Sequence, residues 1–492
     1  MRHHINVAQV FTSVQPGHLL NSFGNERQEQ PANIVIPDAA LTTDIGNSIR
    51  FINGNRSTAC YCIELNSWAI WSGSHWEIDS CGRIMTIGGR TILNIMQEVE
   101  GQQSHDTKTE LINCCKRSQS PARINAMLTL AAPEMAISWS AMDTDTFLLN
   151  VQNGTIDLRT GVLLSHNPAH MNSKISPITH DAGAECPRLM QYLESAFPDN
   201  PEMIDYMQKV VGYILTGDTS EKCFFIFYGP GGNNGKSVLI NVLRYILGPY
   251  ALQTPVATLQ RKNPGGNSND IVRLKGARFV AASEIDPKQR YQFDEALLKM
   301  LTGNDPVAAR ELFKEYIEYY PEFKLFIGTN TQPEFDTKDT ALMDRVMTIP
   351  FRVSFPRDHA ERDNDLLASL KAEAPGILNW AIEGCLLWQS EGLGAVPDEV
   401  TFNLPNTVRD ATIDRFLHEC CDFQEGSVQK CGVLHDTYKA WCLDLNILPV
   451  GNATFSKRLT SHHKLDKDTI GSDGTFWFGI TLKEAMTGTV AA

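Results

Sequence analysis

The sequence predicts an α/β fold built around a parallel sheet, and three observations support that prediction. Residues 224–228 (FFIFY) form a short apolar run bounded by glycine, which is typical of a strand buried on both faces. A loop rich in glycine and asparagine follows, and apolar residues then recur at helical spacing over 238–247 until a Gly-Pro pair ends the helix. Two more strand-like runs, 278–283 and 324–329, are each followed by polar residues. Alternating strands and helices of this kind indicate a parallel sheet.

The loop GPGGNNGKS has the composition of a phosphate-binding loop, although Pro230 stands where the first glycine is expected, so the loop carries one extra residue. Backbone N–H groups and the N-terminus of the next helix would converge there and favour a polyanionic phosphate. We expect Lys236 to reach the β- and γ-phosphates of a nucleotide and the Ser237 hydroxyl to hold Mg²⁺. A glycine-rich turn between two core elements is the alternative. The predicted nucleotide contacts are Gly229, Pro230, Gly231, Gly232, Asn233, Asn234, Gly235, Lys236 and Ser237.

Polar residues near the other strands complete a predicted hydrolysis site. Glu284 follows the second strand and is expected to polarise an attacking water and to help hold the metal. Asn330 follows the third strand, where it would contact the γ-phosphate or that water, because ligands gather at the carboxyl ends of parallel strands. Arg345 precedes another apolar strand, and a guanidinium from a neighbouring subunit would stabilise the transferring phosphoryl group. A structural ion pair of Arg345 with Asp344 or Asp339 is the alternative.

Composition narrows the class of protein. The 492 residues have room for about three or four domains. No segment approaches the roughly 18 apolar residues of a membrane span, and no signal peptide is evident at the start, so we expect a cytoplasmic protein with no membrane partner. The 12 cysteines are too sparse for a disulfide scaffold. Because the net charge is −14, contact with nucleic acid would have to be confined to a groove or channel.

Taken in order, these residues resemble the superfamily III helicases, and more narrowly the helicase part of the phage and plasmid primase-helicase family related to poxvirus helicase-primases. The resemblance covers roughly residues 50–400. It implies an AAA+-type ATPase core, a homohexamer with ATP bound between subunits, Arg345 reaching across that boundary, and 3′-to-5′ translocation on single-stranded DNA. The matching elements are FLLNVQNGTIDLRTG, CPRLMQYL, YGPGGNNGKS, the strand ending in ASE, LLKMLTGNDPVAARELFKE, KLFIGTN and DRVMTIPF.

The resemblance also implies a hairpin between the second and third strands that grips DNA, within residues 305–323. Arg310 and Lys314 are the basic residues at the expected position, with Phe313 and Tyr316 able to stack or pack nearby. A solvated face explains the same charges equally well.

The last part of the chain suggests a winged helix. Helical spacing runs over residues 413–447, residues 453–459 would open another helix, and residues 471–482 have the pattern of a β-hairpin. Lys457 and Arg458 are then candidate phosphate contacts. A protein-docking or purely structural role is the alternative.

These elements divide the chain into six predicted regions with a mixed α+β part before the ATPase core. They are a flexible segment (1–45), a small mixed α/β domain (46–145), a helical pre-helicase or oligomerisation domain (146–220), the ATPase core (221–356), a helical lid and linker (357–412) and a winged-helix-like DNA-binding domain (413–492).

The resulting interpretation is an ATP-dependent hexameric replicative DNA helicase of a phage, plasmid or mobile element, working in the bacterial host cytoplasm. ATP and Mg²⁺ are the expected cofactors, and single-stranded and forked duplex DNA are the expected partners. We also expect a separate primase or other replication proteins as partners, because the short polar lead-in leaves no room for a primase domain. The alternatives are a replication initiator or regulatory DNA-binding ring without processive unwinding, and a remodeller that acts on protein.

Overall fold

A computed structural model describes most of the chain. The described residues are 33–229, 232–261, 269–283, 293–310, 316–330, 335, 339–356, 363, 365–397, 406–424, 426–444, 449–461, 463–470 and 474–483. The chain divides into two compact units, Met1–His180 and Asp181–Ala492. This division lies inside the predicted region 146–220, and the predicted domain limits stay predictions. Within the described residues, every helix is too short or too polar to span a bilayer.

The first unit is mixed α/β, with two small sheets in its described part, residues 33–180. Its helices are α1 (Asp44–Asn55), α2 (Arg83–Leu93), α3 (Ile95–Gly101), α4 (His105–Ser118) and α5 (Pro121–Ala131). Its strands are β1 (Ala59–Cys62), β2 (Ser67–Trp71), β3 (Trp76–Ile78), β4 (Ala136–Ile137), β5 (Leu148–Val151), β6 (Gly154–Asp157) and β7 (Val162–Leu164). One sheet has the order β3-β2-β1-β4 and the other β5-β6-β7. The helices and the first sheet enclose an apolar core that includes Phe51, Trp68 and Leu111.

The second unit is built around a five-stranded parallel sheet in the order β14-β8-β13-β10-β9. Its strands are β8 (Phe224–Tyr228), β9 (Ala251–Pro255), β10 (Phe279–Ser283), β11 (Val307–Arg310), β12 (Tyr316–Tyr319), β13 (Lys324–Thr329) and β14 (Val346–Pro350). Its helices up to residue 391 are α6 (Pro187–Ala196), α7 (Pro201–Leu215), α8 (Lys236–Leu247), α9 (Asn269–Val272), α10 (Glu295–Thr302), α11 (Thr340–Met343), α12 (Leu366–Ala372) and α13 (Ala374–Glu391). The predicted α/β class with a parallel sheet is confirmed.

The apolar sequence of β8 follows from its place in the sheet. This strand lies between β14 and β13, and the side chains of Phe224, Phe225, Ile226 and Phe227 are all fully buried. The ring of Phe225 stacks on that of Phe326 in β13, with centroids 4.6 Å apart. Burial of both faces explains why the run is continuous rather than alternating.

In the described residues from 406 to 483, the end of the second unit contains three helices and five short strands. The helices are α14 (Asn406–Cys420), α15 (Cys431–Asp444) and α16 (Asn452–Ser461). The strands are β15 (Cys421–Asp422), β16 (Val428–Lys430), β17 (Asp466–Ile470), β18 (Gly474–Phe478) and β19 (Thr481–Leu482), in the sheets β16-β18-β17 and β15-β19. The stretch 413–447 is therefore not one helical segment, because β15 and β16 interrupt it. The predicted hairpin begins earlier than residue 471, since β17 pairs with β18 from Asp466 onward.

Two glycines allow α7 and α13 to cross in close contact. A Cβ atom at Gly212 would lie 2.0 Å from the backbone nitrogen of Cys385, and one at Gly384 would lie 2.0 Å from the carbonyl oxygen of Gln208. Real Cβ atoms do not approach backbone so closely, and backbone cannot rotate away as a side chain can. The close packing of the two helices therefore requires glycine at both positions, because any larger side chain would collide with the facing backbone.

We expect Gly384→Ala to lower the free energy of unfolding by about 3 kcal/mol, because the added methyl must push the two helices apart. Gly54→Ala is the matched control, since Gly54 is also helical and a Cβ there would meet no neighbouring atom within 4 Å. Alanine there should be neutral or stabilising by up to about 1 kcal/mol. Urea denaturation of both variants checks this, and equal stabilities would contradict the prediction.

Candidate nucleotide site

The glycine-rich loop lies at the carboxyl edge of the parallel sheet. It leaves β8 after Tyr228 and enters α8 at Lys236. Gly232, Asn233 and Gly235 have φ angles of 78°, 54° and 84°, in the left-handed region that glycine and asparagine adopt most readily. The composition of the loop therefore follows from its backbone path into the helix N-terminus.

Lys236 is the central side chain of this site. Its Nζ donates hydrogen bonds to the carbonyl oxygen of Gly229 at 3.1 Å, to Oδ1 of Asn234 at 2.9 Å and to Oδ1 of Asn330 at 2.7 Å. The residue is only 8% exposed, and this burial lowers the pKa of the ammonium from 10.5 to about 8. A cation held at the bottom of a glycine-lined loop is suited to bind an anion.

The carboxyl edge brings together predicted residues from two strands. Asn330 follows β13, the neighbour of β8, so it reaches Lys236 across 94 positions of sequence. Ser237 is exposed in the first turn of α8, beside Lys236. Gly229 must be glycine, because a Cβ there would lie 2.6 Å from the carbonyl oxygen of Phe351 and 2.8 Å from the Lys236 Nζ.

Four of the predicted site residues lie outside the described part of the chain. They are Pro230, Gly231, Glu284 and Lys314. The strand before Glu284 is described, and Ser283 at its end pairs with Gly328 of β13. The chain thus leaves β10 at the same edge of the sheet that carries Lys236. The catalytic and metal-binding roles of Glu284 stay predictions.

A cavity of about 480 Å³ opens beside the loop and was not foreseen from the sequence. Its lining includes Arg188, Gln191, Tyr192, Val238, Phe355 and Leu366. The Tyr192 hydroxyl donates to the carbonyl oxygen of Gly235 at 3.2 Å, and Arg188 forms an ion pair with Asp363 at 2.8 Å. Arg188 and Tyr192 belong to the segment CPRLMQYL, whose resemblance to the helicase family was the only indication from sequence that this side of the cavity matters.

Arg345 lies at the opposite edge of the sheet. Its carbonyl oxygen accepts from the backbone N–H of Phe224, the first residue of β8. The glycine-rich loop instead follows Tyr228, the last residue of that strand. The guanidinium donates to the carbonyl oxygens of Lys299 and Ala341, at 2.9 and 3.1 Å, and to the Thr302 hydroxyl at 3.3 Å. The carboxylate of Asp339, one of the alternative partners, instead pairs with Lys299 at 2.5 Å.

A hairpin forms where the resemblance places one. Strands β11 and β12 are antiparallel, with Arg310 opposite Tyr316 at the end nearest the turn. The Arg310 guanidinium lies 5.1 Å from the centre of the Tyr316 ring, and Tyr316 is 64% exposed. The paired strands of the predicted hairpin are confirmed, while residues 311–315 between them, including Phe313 and Lys314, lie outside the described residues.

The two basic residues predicted to contact DNA near the C-terminus have different surroundings. Lys457 is exposed on α16. Arg458 is mostly buried and pairs with Asp414 at 2.5 Å, and His463 contacts the same carboxylate at 2.7 Å. Arg458 thus joins α16 to α14, and a role in binding phosphate would require it to leave this ion pair.

Comparisons with known proteins extend this description. A family model described as D5 N terminal like matches residues 48–198, and a model of a family of unknown function (DUF5906) matches residues 227–345. "Putative helicase L207/L206" of Acanthamoeba polyphaga mimivirus is 29% identical over 45% of this chain and 23% of its own length. "Putative helicase 022R" of Frog virus 3 is 30% identical over 34% of this chain and 18% of its own length. "Primase D5" of Fowlpox virus is 25% identical over 44% of this chain and 28% of its own length.

The apo structure of the NrS-1 C-terminal region covers 86% of this chain and 96% of its own, with 11% identity and a TM-score of 0.42. The sequence identity and the TM-score are both low, so the fold assignment depends on this chain's own sheet order.

The fold and the site define an α/β protein with a phosphate-loop-like site at the carboxyl edge of a parallel sheet. The family matches and the viral relatives support the assignment of the chain to the D5-like superfamily III helicase family. The chain spans less than a third of the length of the three curated relatives described above, at 23%, 18% and 28%.

Proposed function

We propose that this chain is an ATP-dependent, hexameric replicative DNA helicase of a phage, plasmid or other mobile element that moves 3′ to 5′ on single-stranded DNA. The observation that carries the proposal is the contact at the carboxyl edge of the sheet between Lys236 of the glycine-rich loop and Asn330 of the neighbouring strand. Phosphate-loop ATPases need a cation for the β- and γ-phosphates and a polar group beside it. Membership of a helicase family favours DNA as the substrate on which the energy of ATP hydrolysis is used.

The sheet and the C-terminal elements support a finer assignment of the fold. Numbered along the core, the parallel strands have the order 5-1-4-3-2, with the loop following the first strand. This order is the one found in AAA+ ATPases. From α14 to β18 the elements are a helix, the two short strands β15 and β16, two helices and a hairpin whose strand β18 also pairs with β16. Apart from the additional short strand β15, this order is that of a winged helix. We assign an AAA+-type core and a winged-helix-like end on these grounds.

The residues at the loop fit a magnesium-bound nucleoside triphosphate. Lys236 supplies positive charge, the first turn of α8 supplies N–H groups, and Gly229 keeps the space beside Nζ clear of a Cβ. Ser237 lies in that first turn, and we expect its hydroxyl to hold Mg²⁺, which would neutralise phosphate charge. The described residues contain no cluster of three or more His, Cys, Asp or Glu able to hold a metal, so Mg²⁺ would depend on Ser237, Glu284 and the nucleotide itself.

A strand-displacement assay tests the proposal. The purified full chain should separate a duplex with a 3′ single-stranded tail, require MgATP, and fail on a duplex with a 5′ tail only. ATPase activity that DNA stimulates without any strand displacement would favour the initiator or regulatory ring. ATPase activity indifferent to DNA would favour a remodeller of protein. A chain that neither binds nor hydrolyses ATP would overturn all three.

The hairpin offers a test of the DNA contact. We expect Arg310→Ala combined with Tyr316→Ala to weaken binding of single-stranded DNA about tenfold, because the pair removes one cation and one exposed ring on which a base can stack. The slope of log affinity against log salt should also become shallower by about one. Fluorescence anisotropy with a labelled oligonucleotide measures both quantities.

Arg117→Ala is the control for this experiment, because Arg117 is an exposed arginine at the end of α4 in the first unit. Its loss should leave DNA affinity within about twofold of wild type. If the hairpin variant bound DNA as tightly as this control, the hairpin would be a solvated face and the DNA contact would lie elsewhere.

A further inference from the structure

A short segment after β14 lies along the glycine-rich loop, and we call residues 351–355 the strap. The backbone N–H of Phe351 donates to the carbonyl oxygen of Tyr228 at 2.6 Å, and that of Phe355 donates to the carbonyl oxygen of Asn233 at 2.9 Å. The Ser354 hydroxyl donates to the carbonyl oxygen of Gly232 at 3.0 Å. The strap thus follows the loop along most of its described length.

Asn234 connects the strap to Lys236. Its Nδ2 donates to the carbonyl oxygen of Val353 at 2.9 Å, and its Oδ1 accepts from the Lys236 Nζ at 2.9 Å. The residue is only 2% exposed. The orientation of the amide is determined by these partners, because the reversed amide would place N–H groups against an ammonium and an oxygen against a carbonyl oxygen.

The three bonds of Lys236 divide into two kinds. An ammonium has three N–H groups, and here they meet one acceptor each. Gly229 and Asn234 belong to the same loop as the lysine, whereas Asn330 comes from a separate strand. The two loop bonds therefore set the rotation of the ammonium, and they aim its third N–H out of the loop toward the carboxyl edge of β13. We expect the phosphate oxygens of a bound nucleotide to lie at that edge, where this third N–H can donate to them.

We propose that Asn234 is a positioning residue, which orients the Lys236 ammonium for the phosphates of a bound nucleoside triphosphate and anchors that geometry to the strap through Val353. This inference rests on the proposed nucleotide site. It assigns to the Asn234 side chain a task that the neighbouring Asn233 does not share, since Asn233 is exposed and the strap bonds to its backbone oxygen. A lysine on a flexible four-carbon stem benefits from such a fixed acceptor, because less rotational freedom is lost when the phosphate binds.

A double-mutant cycle tests the inference. Affinity for a fluorescent ATP analogue with Mg²⁺ is measured for the full-length wild type, Asn234→Ala, Lys236→Ala and the double variant. We expect Asn234→Ala alone to weaken binding about tenfold, as for loss of a hydrogen bond to a charged group. In the Lys236→Ala background the same change should cost less than about twofold, because Asn234 acts through the ammonium that is already gone.

The control separates orientation of the lysine from support of the loop. Ser354→Ala removes a bond between strap and loop that does not involve Lys236. It should change affinity less than about twofold. Thermal unfolding of every variant is recorded, and if Asn234→Ala does not fold, the cycle is repeated with Asn234→Ser, whose shorter side chain loses the same two bonds.

Three outcomes decide the matter. Non-additive losses, with Ser354→Ala close to wild type, support the inference. Additive losses, or an Asn234→Ala protein that binds like wild type, overturn it while leaving the nucleotide site in place. A wild-type chain that does not bind the analogue overturns the proposed function and this inference with it, so the two failures are distinguishable.

Discussion

Replacement of Lys236 by alanine is expected to reduce ATP turnover at least about 10²- to 10³-fold. The lysine is the buried cation of the loop, and its Nζ is the donor shared by Gly229, Asn234 and Asn330. Donors aimed at phosphoryl charge act in a water-poor site, where loss of one typically costs this much in rate. Strand displacement should disappear together with turnover if the same site drives the movement. A coupled assay for released phosphate measures the rate, and the strand-displacement assay measures the unwinding.

Folding must be separated from catalysis in this experiment. Lys236→Ala leaves three oxygen acceptors without the shared donor, so its unfolding temperature is measured beside that of the wild type. Lys275→Ala is the matched control, because Lys275 is an exposed lysine in the same unit. The control should keep full turnover. A folded Lys236→Ala protein with wild-type turnover would show that the glycine-rich loop is not the hydrolysis site.

Local chemistry accounts for the parts of the molecule that sequence could predict. The run at 224–228, the glycine-rich loop and the periodic helix after it are consecutive, so strand, turn and helix follow from composition and spacing alone. The meeting of Asn330 with Lys236 was also predictable, because parallel strands place the residues after their carboxyl ends at one edge. The general geometry of parallel sheets was therefore enough to predict that these two residues lie close together.

Contacts that depend on how helices and loops pack against the sheet were not predictable. The Tyr192 hydroxyl reaches Gly235 from α6, and Asp363 reaches Arg188 across 175 positions. Nothing in the spacing of these residues indicates that they share a cavity wall. The same holds for the pairing of Arg458 with Asp414, since an arginine in a basic stretch has the same local sequence whether it binds phosphate or an internal carboxylate.

Replacement of Arg345 is expected to have the largest effect on ATP turnover. We expect Arg345→Ala to lower ATP turnover by about 10³-fold while the protein still binds ATP, as for loss of an arginine that stabilises a transferring phosphoryl group. This residue precedes β14 at the amino edge of the sheet, and the loop follows β8 at the carboxyl edge. The five residues of β8 separate these edges by roughly 17 Å, more than an arginine side chain can span. If Arg345 acts on a nucleotide, that nucleotide must therefore belong to a neighbouring protomer.

Mixing two inactive variants tests this arrangement directly. In a mixed ring, an Arg345→Ala protomer keeps its own Lys236, and a Lys236→Ala neighbour can supply an intact Arg345. Turnover should then rise well above that of either variant alone, whereas an arginine acting within its own chain predicts no recovery. Thr302→Val is the control for local structure, because it removes the hydroxyl that accepts from Arg345 and leaves the guanidinium in place. It should keep turnover within a few-fold of wild type, so a loss as large as that of Arg345→Ala would mean that the arginine acts by holding α10 rather than by reaching a neighbour.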